Sequence, residues 1–115
     1  MNNSTLKIIS VSFFPFIFII LMWIIKCYEF FLNVSFVSFG IYPRNISGLK
    51  GLFFSPFIHK DFQHLFNNTV PLLILGSMLW FFYKKIAHKI FFYLFFISGL
   101  WTWVIGRASF HIGAS

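Results

Sequence analysis

IISVSFFPFIFIILMWII, residues 8–25, carries no charge and is bracketed by Lys7 and Lys26. At 1.5 Å rise per residue, a helix over this stretch reaches about 27 Å, close to the roughly 30 Å thickness of a bilayer's hydrocarbon core. The stretch therefore reads as a membrane span. A secretory signal would have an apolar part of only about 7–15 residues, closed by a small-residue cleavage site. Here the apolar run ends beyond Trp23 and continues into Lys26, Cys27, Tyr28 and Glu29.

The rest of the chain agrees with this reading. Its 115 residues are 59% hydrophobic, 24% aromatic and 10% charged, whereas a soluble domain carries about 25% charged residues. A soluble globular domain is excluded. Two further apolar segments follow, and the expected helices cover about 8–27, 60–83 and 89–106, with a long first connection over about 28–59. The turn between the second and third holds Lys84, Lys85, His88 and Lys89. The positive-inside bias places that turn, and with it the N-terminus, in the cytoplasm. The net charge of +7 comes from nine basic residues scattered over loops and helix ends. That is the usual place for snorkelling Lys and Arg, so no nucleic-acid partner is expected. One cysteine, Cys27, permits no internal disulfide.

The first connection is not ordinary solvent loop. EFFLNVSFVSFGIY, residues 29–42, interleaves Phe with polar residues and reads as a piece lying in the headgroup region. Pro43, Gly48, Gly51 and Pro56 then break the chain into turns. With no internal repeat or low-complexity linker, residues 1–115 read as part of a single transmembrane domain.

Polar residues in such a chain are costly and usually face a cavity or the bundle interior. His64 and Asn68 stand at i and i+4, about 40° apart around a helix, and so point the same way. Asn67 also shares that face within about 60°, so spacing alone does not choose between the asparagines. His59 falls in the turn leading into the helix. The chain closes on HIGAS, residues 111–115. A serine opening a helix sits beside free N–H groups and a positive dipole end, and Gly113 lets backbone approach closely. Those are the donors that a tetrahedral intermediate needs, and His64 and Asn68 stand to add more. The plainer alternative for His64 and Asn68 is a hydrogen-bonded pair joining helices. A metal held by His59 and His64 is a third reading, weakened by the lack of further ligands.

Taken together, the chain resembles the N-terminal half of a rhomboid intramembrane serine protease. The residues that carry the likeness are GIYPR at 40–44, GLKG at 48–51, PFIHKDFQHLFNN at 56–68 and HIGAS at 111–115, where the family reads Gly-x-Ser-Gly. The resemblance implies an all-α membrane protein with a rhomboid-like helical bundle, three of an expected six transmembrane helices being present. It also implies that Ser115 is the nucleophile, that His64, Asn68 and the backbone at Gly113 stabilise the oxyanion, and that His59 supports the polar network. Asn68 is thereby preferred to Asn67. Gly76, Ser98 and Gly99 would let helices approach closely.

The chemistry so implied is an intramembrane serine endopeptidase cleaving transmembrane segments of membrane proteins, without metal or cofactor. In the family the activating histidine lies on the last helix, and no residue here matches it; His111 and His88 are not its equivalents. The chain is therefore expected to be an incomplete and inactive portion, either part of a longer protein or a truncated product. Two alternatives stand beside this one: a non-catalytic rhomboid-like protein that binds transmembrane segments, and a small structural or transport-associated membrane protein. The partners expected are transmembrane substrates and the lipid bilayer, and the location expected is a bacterial inner (plasma) membrane.

Overall fold

The computed structural model describes residues 2–113. Three long helices dominate: α1, Asn3–Leu32; α3, Phe62–Phe82; and α4, Ala87–Ile105. A short helix, α2 at Gly51–Phe54, lies in the first connection with three 3-10 turns around it. Among the described residues there is no strand, only one isolated antiparallel bridge between Ile41 and His111. The architecture is thus all-α, and each long helix is apolar and long enough to cross a membrane, with mean hydropathies of 2.7, 1.5 and 1.4. The chain is an integral membrane protein.

The first helix runs past both ends of the expected 8–27 span. Lys7 and Lys26 mark where the apolar stretch stops, not where the helix does, because charged side chains continue a helix freely once it leaves the hydrocarbon. Its true ends are set by caps. Asn2 Oδ1 accepts from the Thr5 N–H at 2.8 Å, and Asn33 closes the other end in the left-handed conformation, φ 52°. Asparagine tolerates that region better than most residues. Buried Glu29 then directs the exit, its Oε2 accepting from the Phe36 N–H at 3.0 Å. The start of the run expected to lie in the headgroup region is therefore helical.

The core is a seam of Val11, Phe18, Met22, Leu65, Trp80, Ala87 and Phe91 from the three long helices. The α1–α3 pair is fastened at two levels by polar side chains, Ser77 Oγ to Ser12 Oγ at 3.1 Å and Trp23 Nε1 to Thr69 Oγ1 at 3.0 Å. Between them Gly76 meets Pro15: a Cβ there would stand 2.9 Å from Pro15 Cγ, so the missing side chain sets how closely the helices approach. Gly99 plays the same part toward the connection, facing Leu52. Ser98 does not; it is exposed, and its hydroxyl turns back onto its own helix. Apolar residues elsewhere on the helices, Phe31 and Ile105 among them, point outward as a lipid-facing surface requires.

The first connection folds back on itself between α1 and α4. Gly48 packs on the backbone of Tyr42, and Gly51 on that of Gly40 and Ile41, so closely that no side chain fits at either glycine. Arg44 ties the connection to the end of α4, its Nη1 donating to the carbonyls of Val104 at 3.1 Å and Gly106 at 2.9 Å. Those carbonyls have no partner within the helix and need one from outside.

Candidate active site

The site is assembled at the end of the bundle where α3 begins. Asp61 caps α3, its Oδ1 accepting from the His64 N–H at 2.8 Å, which starts the helix one turn before His64. Leu65, Asn68, Gly76 and Trp80 form the buried stripe of α3. Asn68 thus faces the bundle while Asn67 is exposed. Both asparagines line a groove together with His64, and the buried one of the two is Asn68.

His59 sits in the turn before α3 and is almost completely buried, at 1% exposure. Lys26 of α1 holds that turn by donating to the carbonyls of His59 at 3.3 Å and Lys60 at 2.9 Å. The rings of His59 and His64 meet edge to face, 5.5 Å between centroids. Burial pushes the His59 imidazole down to about 4, with the neighbouring His64 and Lys26 adding to the effect. The Phe57 backbone pulls the other way, although neither ring nitrogen has a partner in hydrogen-bond geometry among the described residues. His59 is consequently neutral at pH 7.

The end of the described chain comes back to this place. His111 pairs with Ile41, N–H to carbonyl in both directions at 2.8 and 2.9 Å. Two residues on, the Gly113 N–H donates to the Ser55 carbonyl at 2.9 Å. Gly113 has φ +105°, a conformation that side chains resist. A Cβ built on it would lie 3.4 Å from His64 Cε1, 3.8 Å from His64 Nε2 and 3.7 Å from Asn68 Nδ2. His64, Asn68 and Gly113 are therefore one cluster, with His59 behind it. Ser115 lies outside the described residues.

Two features of this cluster bear on chemistry. Asn68 Nδ2 is buried and has no hydrogen-bond partner among the described residues, which leaves it a donor beside Gly113. A groove of about 910 Å³ opens from His64 and Asn68 along the facing sides of α3 and α4, lined below by Leu72, Leu79 and Phe95. The other histidines are engaged elsewhere. His111 Nε2 lies 3.0 Å from the Arg107 carbonyl, and His88 packs against Trp80 and Phe14 at the start of α4. Among the described residues no group of three or more His, Cys, Asp or Glu gathers as metal ligands would.

Sequence reasoning missed the tethers. The Ser55 carbonyl and the Ile41–His111 bridge position Gly113, yet they act through backbone, so side-chain identity offers no signal for them. Nothing in the GIYPR motif signals that Arg44 reaches the carbonyls at the end of α4.

Comparison with known proteins identifies the family. Uncharacterized proteins of Mycobacterium bovis and Mycobacterium tuberculosis are 35% identical over 91 residues, covering 66% of this chain and 34% of theirs. A third, from Mycobacterium leprae, is 32% identical over 62 residues, 54% of this chain and 25% of its own length. The chain spans about a third of the length of the first of these curated relatives. No solved structure matches. The rhomboid domain model matches residues 47–115, which take in the α3 cluster and the return of the chain at Gly113. This match covers more than half of the sequence, and the chain belongs to the rhomboid family.

Proposed function

We propose that this chain supplies the nucleophile and the oxyanion-binding groups of an intramembrane serine endopeptidase that cleaves transmembrane segments of membrane proteins. The observation that carries the reading is the packing of His64 and Asn68 on Gly113, with an unpaired amide donor on Asn68. Ser115 follows Gly113 by two residues. In this reading its hydroxyl attacks the carbonyl carbon of a peptide bond, and a base takes the hydroxyl proton. The carbonyl oxygen becomes an oxyanion, and Asn68 Nδ2, the His64 ring N–H and the local backbone receive it. Collapse of the intermediate breaks the C–N bond as the base returns that proton to the departing amine, and the acyl-serine left behind is hydrolysed by water. Donors already aimed at the developing charge in a site shielded from solvent typically contribute about 2.7–4 kcal/mol each.

No histidine of this chain stands ready as the base, since the rings of His111 and His88 are committed elsewhere. We assign the base to the remainder of the complete protein, in keeping with the short span of the relatives that the chain covers. His59, neutral and buried behind His64, supports the polar cluster. The basic turn between α3 and α4 is placed in the cytoplasm of a bacterial plasma membrane, which puts the cluster at the outer face. No metal or cofactor enters this scheme.

A fluorophosphonate probe applied to the complete protein in detergent micelles tests the reading. Labelling of Ser115 that disappears in Ser115→Ala supports it. If no label reaches Ser115 in the folded protein while Ser115→Ala retains the cellular effect, the protein binds transmembrane segments without cleaving them.

A further inference from the structure

A second groove lies on the opposite side of α4. Its volume is about 660 Å³, within the roughly 300–1,000 Å³ of small-molecule sites. Phe14 and Leu21 of α1 form one wall, Phe92 and Phe96 of α4 the other, and the folded first connection closes one end at Leu52 and Phe53. Phe91 and Phe95 line both grooves, so α4 stands between this one and the one leading from the candidate active site. The chain returning at Gly113 meets His64 and Asn68, which belong to the other groove.

The chemistry of the occupant follows from what the groove faces. Both walls are helices apolar and long enough to cross a membrane, and the lining between them is almost wholly apolar, as an acyl chain requires. At the end covered by the connection, one cation breaks the apolar surface: Lys50, exposed, with its ammonium 5.0 Å from the Phe39 ring centroid. The only two carboxylates of the sequence are Glu29 and Asp61, and they accept backbone N–H groups of Phe36 and His64. The lysine charge is left for an anion from outside the chain. From His88 to Phe96 the groove runs about 12 Å along α4, room for much of one acyl chain.

We infer that this groove holds one phospholipid, its acyl chain between α1 and α4 beneath the first connection and its phosphate on Lys50. The inference does not depend on the protease reading, because no residue of the proposed catalytic cluster lines the groove. An apolar strip on the other face of α1, lined by Phe16, Ile20 and Ile24, has no cation and serves as an internal control.

The test uses the complete protein in phosphatidylcholine vesicles containing a small fraction of phosphatidylglycerol with a diazirine on its acyl chain. A diacylglycerol with the same photoreactive chain is used in parallel. After irradiation, the phosphatidylglycerol probe is expected to label peptides carrying Phe53 and Phe92 about fivefold more than the Phe16–Ile24 strip, the advantage one Lys gives near an anionic headgroup. Lys50→Gln removes that excess, Lys50→Arg keeps it, and the diacylglycerol shows none. Three results would overturn the inference: equal labelling of groove and strip, an excess that survives Lys50→Gln, or a groove that neither probe reaches because protein covers it.

Discussion

Gly113 lies against the His64 ring, with its amide tied to the Ser55 carbonyl at 2.9 Å and φ at +105°. The turn that delivers the end of the chain to α3 thus depends on a residue without a side chain. In Gly113→Ala a methyl group enters at 3.4 Å from His64 Cε1, on a backbone that resists it by about 1–3 kcal/mol. The expected outcome in the complete protein is a modest fall in melting temperature and loss of most fluorophosphonate labelling. Unchanged labelling would show that this turn does not shape the site.

Asn68 and Asn67 are neighbours that line the same groove, but Asn68 is buried with a donor unpaired among the described residues and Asn67 is exposed. Asn68→Ala is expected to lower peptide-bond cleavage by about 10²–10³-fold, the usual cost of an oxyanion donor. Its effect on thermal stability should be small, because Asn68 Nδ2 gives up no hydrogen bond to the described residues. Asn67→Ala should leave kcat within experimental error. Equal effects of the two substitutions would count against an oxyanion role for Asn68.

The lowered His59 value carries a signed pH dependence. Above about 6.5 the imidazole is neutral in both folded and unfolded states, and its contribution to stability is fully present. As pH falls from 6.5 toward about 4, the unfolded state gains the proton first and the folded state loses ground; below about 4 the loss stops growing. Thermal unfolding in detergent micelles between pH 7.5 and 4 should show this decline. His59→Gln should flatten it, whatever that substitution does to stability at neutral pH. A slope identical to that of the parent protein would mean that His59 is protonated in the folded state.

Arg44 connects the first connection to the carbonyls at the end of α4. Arg44→Ala is expected to cost about 1.5–3 kcal/mol, the range for hydrogen bonds made by a charged donor. Amide hydrogen exchange should rise first at the end of α4 and around Gly106, before any change at the α1–α3 seam. Faster exchange confined to the α1–α3 seam would contradict this.

Much of the fold was legible because membrane spans are written in composition. A long uncharged run must be helical in lipid, where each backbone polar group needs an internal partner. Helix ends were less legible: α1 overshoots its apolar run because Asn2 and Asn33, not the flanking lysines, terminate it. The alignment of His64 with Asn68 was legible from helical period alone. Their meeting with Gly113 was implied only by the family resemblance, not by spacing, since it joins residues far apart in sequence through the Ile41–His111 bridge and the Ser55 carbonyl.

The amino-acid order by itself determined an all-α membrane protein and placed a histidine and an asparagine on one face of its second span. Hydrophobic run length and 3.6-residue periodicity are local properties, available without neighbours. The family resemblance preferred Asn68 and implied a site shared with Gly113, but only the tertiary structure decided that Asn68 is buried, that His59 lies behind His64, and by which backbone contacts the chain returns at Gly113. Burial and long-range backbone pairing arise when distant segments meet, and no local pattern records where they will.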